Sequence, residues 1–303
     1  MGLKTKIGLG IGVVLVLLIL LTPARLVVWT IVTQPQMWMD PELDQTFDPE
    51  TELPADLGNL TILSFSKTNG FRHHEAIEAQ QQLLDELAQE NGWTVVHSEN
   101  GAIFQRQYLQ SFHAVILNNK TGHTWNDDQR AAFRDYVEEG GSVLVLHAAG
   151  DASNSVWPWY TERVVRAEFT GHPMRQHIQE ADLIVEDRSH PATAHLPPVW
   201  RRADEWYNFA ESPRDNGTVL ISIDENTYDP EYVFIDKLRG SGEEEDTARA
   251  LAQAAEPQDH PLVWWHREGD GRILYSALGH TKETYAEPAY REFLAGAIVW
   301  ALN

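Results

Sequence analysis

The chain has 303 residues, 43% hydrophobic and 10% aromatic, enough for a sizeable core and incompatible with wholesale disorder. It contains no cysteine, which excludes a disulfide scaffold, thiolate metal sites, a lipid-modified cysteine and a cysteine nucleophile. Asp and Glu number 45 against 23 Lys and Arg, a formal charge of -22 at pH 7, and such a surface repels phosphate backbones, so no nucleic-acid partner is expected.

In chain order, residues 7–21 (IGLGIGVVLVLLILL) carry no charge, follow Lys4 and Lys6, and are interrupted by Thr22-Pro23-Ala24-Arg25 before LVVWTIV. Continued to Val32 as helix, the run would rise about 39 Å, enough for a hydrocarbon core of roughly 30 Å. The small residues that signal cleavage needs are poorly represented, so residues 1–32 read as an uncleaved, single-pass membrane anchor. The remainder is then expected outside the cytoplasm, in the periplasm. Residues 33–58 hold four prolines, seven acids and no base, the composition of an extended, self-repelling linker.

From residue 59 strands and helices alternate. Strands are expected at 60–65 (LTILSF), 93–97 (WTVVH), 114–119 (AVILNN) and 142–147 (SVLVLH). Helices are expected at 75–90, 105–111 and 126–139, two of them closed by Asn91-Gly92 and Gly140-Gly141. Continuously apolar strands separated by helices indicate an α/β fold, a mainly parallel sheet with helices on both faces. Further strands are expected at 181–187, 218–224, 261–266 and 272–278, and a last helix at 288–301. Residues 237–259 read as a polar insertion, a solvated loop or a lid. Residues 59–303 read as one domain.

In an open parallel sheet ligands bind at the carboxyl ends of strands. Histidines recur there: Arg72-His73-His74 after the first strand, His123 after the third, His147 at the end of the fourth, His280 after the last. Convergence of several imidazoles on one rim is the expectation that follows.

The pieces FRHHEAI (71–77), LHAAGD (146–151), EFTGHP (168–173), HPAT (190–193), DEWYNF (204–209) and PLVWWHREGDGRILYSALGHTKETY (261–285) together resemble the trehalose-utilisation, or ThuA-like, family. The resemblance spans roughly residues 60–302. It implies a flavodoxin-like fold similar to class I glutamine amidotransferases, and a role in carbohydrate metabolism, chiefly of disaccharides and keto sugars. Those amidotransferases place a cysteine in the turn after a central strand. The matching turn here is LHAAGD, so glutamine hydrolysis through a thioester is excluded. His280 stands where that fold carries a triad histidine.

His147, His280, Asp204 and Glu205 are the candidate catalytic residues. Asp204-Glu205-Trp206-Tyr207 is the densest polar–aromatic cluster, where carboxylates can accept sugar hydroxyls and rings can stack on sugar faces. In a strand, Asp204 and Trp206 face one way and Glu205 and Tyr207 the other. Arg72, His73, Trp206, Tyr207, His172 and His266 are candidates for substrate binding; His74 and His190 fit exposed or supporting roles as well. His97, His113, His177, His195 and His260 carry no functional expectation. A divalent metal is a possible cofactor, held by histidines with Asp204 or Glu205, but no HxH or HExxH spacing supports it. The expected activity is acid–base isomerisation or elimination on a keto-disaccharide or related saccharide, with His147 or His280 as base. The alternatives are a non-catalytic, membrane-tethered sugar-binding module and a scaffold domain.

Overall fold

Four apolar segments, β1 (Thr61–Phe65), β2 (Thr94–Ser98), β3 (Ala114–Asn118) and β4 (Ser142–Leu146), pair in parallel, with Leu63 opposite Val96 and Val115, and Ile116 opposite Leu144. The computed structural model describes residues 48, 50–55, 57–173, 176–229 and 259–303. The expected anchor at 1–32, most of the linker at 33–58, and residues 237–258 of the polar insertion lie outside these. Among the described residues no helix is long and apolar enough to cross a membrane.

The strands are buried end to end in β1, β3 and β4 because both faces are covered. Helix α1 (His74–Asn91) buries Ile77, Leu83, Leu84 and Leu87, and ends at Gly92, whose left-handed backbone (φ 71°) returns its N–H to the Ala88 carbonyl. A short α2 spans Arg106–Leu109. Helix α3 (Asp127–Glu138) opens with a reciprocal capping box between Asn126 and Gln129. With right-handed crossovers, the reversal of direction between β1–α1–β2 and β2–α2–β3 puts α1 on one face and α2 and α3 on the other.

The sheet then continues differently. Strands β5 (Phe169–Gly171) and β8 (Asn208–Phe209) form a separate two-stranded ribbon. The remaining strands are β6 (Ile178–Val185), β7 (Val199–Glu205), β9 (Thr218–Ile223), β10 (Pro261–Glu268) and β11 (Gly271–Ser276). Among the described residues the nine-stranded order is β2-β1-β3-β4-β11-β10-β9-β6-β7. It is parallel as far as β11 and antiparallel beyond it. The chain closes with α4 (Lys282–Ala286) and α5 (Pro288–Leu302).

Each antiparallel step inverts direction, so the steps from β11 out to β7 return β7 to the direction of β11. The end of β7 therefore shares a rim with the ends of β1, β4 and β11. Flat strands would leave β7 about 19 Å from β11. The register breaks between β9 and β10 instead let the wing curl, and the β11–α4 loop reaches across to meet it.

The described end of the acidic linker does not stand free of the domain. Asp48 pairs with Lys67 and accepts the Gly101 N–H at 2.8 Å, and the Thr51 carbonyl accepts from Tyr108 at 3.1 Å. A cation and open amides at the strand ends offset the self-repulsion expected of that segment.

Candidate functional site

His147 follows the last residue of β4, where the chain leaves the sheet with a left-handed φ of 48°, unusual for a residue with a side chain. The turn aims its ring inward, fully buried, with Nδ1 2.7 Å from the Ala277 carbonyl. A carbonyl only accepts, so Nδ1 donates a hydrogen to Ala277 and Nε2 is turned toward His280 and Glu205. That Nε2 lies 3.2 Å from Nδ1 of His280 and 3.4 Å from Oε2 of Glu205. His280, on the β11–α4 loop, places Nδ1 2.8 Å from the same oxygen. The other carboxylate oxygen of Glu205 receives Nδ1 of His172 at 3.1 Å, from the end of β5. His73, immediately before α1, brings its ring centroid 5.0 Å from that of His147 and 4.8 Å from that of His280. Tyr207 lies 4.3 Å from His147, centroid to centroid.

Electrostatics follow from this packing. Burial opposes the charge on Glu205, but His172 and His280, with hydrogen bonds from His147 and His280, hold its carboxyl well below the usual range. Burial would lower His280, and the Glu205 carboxylate outweighs it and raises it. Burial, with His147 and His280 alongside, pushes His73 well below an ordinary imidazole, so it is neutral.

Asp204 takes no part in this nest. It turns to the opposite side of the strand end, where its carboxylate accepts from Arg202 at 2.8 Å, Gly279 N–H at 2.9 Å and His280 N–H at 3.0 Å. Burial would raise its carboxyl; Arg202 and those amides keep it below the usual range. It braces the loop that carries His280. Trp206 points the same way as Asp204, is fully buried and packs near Tyr228. Arg72 makes a two-pronged pair with Glu99 (2.6 and 3.2 Å). His266 is buried in β10 with Nε2 3.0 Å from the Arg163 carbonyl, and His190 packs 5.0 Å from Trp300. His74 is exposed.

The structure thus gathers His73, His147, His172, Glu205, Tyr207 and His280, and leaves Arg72, Asp204, Trp206 and His266 elsewhere. It adds His177, whose ring lies 5.7 Å from His280. His177 sits just before β6 in no motif, and nothing in its sequence neighbours signals the site. The bracing role of Arg202 had a signal: Arg202 and Asp204 are two apart in a strand and share a face. A second buried group lies behind the nest, where burial lowers Lys120 to about 7 and raises Asp151 to about 6. Lys120 is held over the Trp125 ring and donates to the Gly122 carbonyl at 3.0 Å. Among the described residues, His73, His147, Glu205 and His280 form a group able to hold a metal, with donor atoms all within 4.8 Å of one another.

The family profile ThuA, described as trehalose utilisation, matches residues 61–301. Among solved structures, a ThuA-like protein from Bacteroides uniformis ATCC 8492 is 20% identical with a TM-score of 0.65, covering 84% of this chain and 95% of that one. A ThuA-like protein from Parabacteroides merdae ATCC 43184 is 18% identical with a TM-score of 0.55, covering 80% of this chain and 90% of that one. Comparison with curated protein sequences returned no match.

Proposed function

Since the chain belongs to the ThuA family, described as trehalose utilisation, we propose that it is a carbohydrate-active enzyme that moves a proton on a keto-disaccharide or related sugar. One observation carries this reading. The two oxygens of a buried carboxylate, Glu205, each hold an imidazole that is open to solvent, His172 at 15% and His280 at 20% side-chain exposure.

A hydrogen on the carbon beside a ketone is acidic because its electron pair can move into the carbonyl. One open imidazole takes that proton, the C–H pair becomes a C=C bond, and the carbonyl π pair moves to oxygen. The other donates to that oxygen and steadies the enolate. Where the deprotonated carbon bears a hydroxyl, the former carbonyl oxygen takes a proton, that hydroxyl gives up its own to become the new carbonyl, and the abstracted proton returns to the former carbonyl carbon, which isomerises the sugar; departure of a β-substituent with its bonding pair completes an elimination instead. Nδ1 of His172 faces Glu205 Oε1 and, at 3.2 Å, the Pro173 carbonyl. Both accept, so Nδ1 holds the hydrogen and Nε2 is free to act as a base. His147 has no exposed surface. It supports the nest and does not touch the sugar, so the base expected at His147 or His280 moves to His172 or His280. The apolar run at 7–21 supports an anchor that places this chemistry outside the cytoplasmic membrane.

The test is turnover of keto-disaccharides by the purified chain, with products resolved by chromatography. His172→Ala and Glu205→Gln are each expected to lower kcat by about 10²–10⁴-fold. Unchanged turnover in both variants overturns the mechanism. Tight saccharide binding without product favours a binding module instead.

A further inference from the structure

We propose that His73, His147, His280 and Oε2 of Glu205 form a binding site for one divalent first-row transition ion, which expands to five-coordinate to take an oxygen of a sugar on the side of His172. The donor spacing supports it. A tetrahedral ion with bonds of 2.0–2.2 Å sets neighbouring donors about 3.4 Å apart. The separations among His147 Nε2, His280 Nδ1 and Glu205 Oε2 are 3.2, 3.4 and 2.8 Å. Three imidazoles and one carboxylate oxygen are a donor set suited to zinc and its neighbours rather than to calcium or magnesium.

The outer contacts match as well. A metal-bound histidine usually donates its second ring N–H to a carbonyl or carboxylate, which fixes the other nitrogen as the ligand. His147 does so to Ala277. Glu205 is oriented likewise, with Oε1 held by His172. Hydrogen bonding alone leaves a deficit: Nδ1 of His73 is buried with no hydrogen-bond partner among the described residues, and the residue is only 8% exposed. An ion would displace the proton between His280 and Glu205 and draw the lone pairs of all four groups to one point.

The site deepens the proposed sugar chemistry and rests on that reading only for what the ion does. With His280 engaged, the cation steadies the enolate oxygen and His172 is left as the base.

The purified full chain is stripped with a chelator, reloaded separately with Zn²⁺, Co²⁺, Ni²⁺ and Mn²⁺, desalted and analysed for metal. One equivalent of at least one ion per chain is expected, with a cobalt spectrum of nitrogen–oxygen ligation. His73→Ala and Glu205→Gln, checked for native near-ultraviolet circular dichroism, are expected to weaken binding at least 10–100-fold. His266→Gln, remote from the cluster, retains the ion. Should no ion bind stoichiometrically, or should folded His73→Ala and Glu205→Gln both bind as the parent does, the site is overturned. Metal content and the cobalt spectrum are read without substrate, so failure of the sugar chemistry registers separately.

Discussion

At the end of β7 three neighbouring residues serve two faces. Arg202 and Asp204 form a fully buried ion pair on one side, and Glu205 faces the imidazoles on the other. Removing one member of a buried pair leaves an unpaired charge, a loss of about 3–5 kcal/mol. Asp204→Asn also weakens the acceptor for the Gly279 and His280 amides. Urea denaturation of Asp204→Asn is therefore expected to show lost stability of about that size, with activity falling through displacement of His280. Glu205→Gln is expected to lose activity directly, because it removes the carboxylate that His172 and His280 share. The separation of Glu205 and Tyr207 from Asp204 and Trp206 was legible in the sequence, since alternation in a strand is geometric. Which of the two faces held the site was not, because that depends on how β7 lies against loops far away in the chain.

At the scale of elements, β1 to β4 and α1 were legible because continuous apolar runs and a helical stripe of leucines report burial directly. The ribbon of β5 and β8 was not: three residues and two residues are too short to show any period. Nor does the pattern of β10 betray its antiparallel direction, since pairing sense leaves no mark on a strand buried on both faces. His266, read as a candidate for substrate binding, lies within β10 and apart from the gathered imidazoles. Burial, with Arg166 nearby, lowers its pKa to about 4. The unfolded chain takes up that proton near pH 6.5 and the folded one does not. Stability is thus fully present above about pH 6.5 and falls as pH drops toward 4, by up to roughly 3 kcal/mol for this one group. His266→Gln is expected to flatten that slope in urea melts at pH 7 and pH 5. In α5, a Cβ on Gly296 would sit 2.2 Å from the Pro191 carbonyl oxygen. Alanine gains about 1 kcal/mol of helix propensity, but the overlap with backbone costs about 1–3 kcal/mol. Gly296→Ala is expected to lower Tm in calorimetry.

For the whole molecule, the excess of acid sets the background. Exposed pairs such as Arg214 with Glu186 and Asp259 contribute little singly, and a net charge of -22 repels itself throughout. Added NaCl weakens both, and the net repulsion dominates. The urea midpoint is expected to rise between 0.05 and 0.5 M salt; a fall would mean that the pairs outweigh the excess. The convergence of the centre belongs to this scale too, since its residues come from the ends of β1, β4, β7 and β11. Such a centre has a history as well as a shape. At a synthesis rate of 5–20 residues per second, His73 leaves the ribosome about 10–40 s before His280 exists. Throughout that interval the earlier imidazoles have no companion loop to close over them. The nest therefore cannot be complete until His280 has been made, when all but the last stretch of the chain exists, and whatever it holds is acquired only after that.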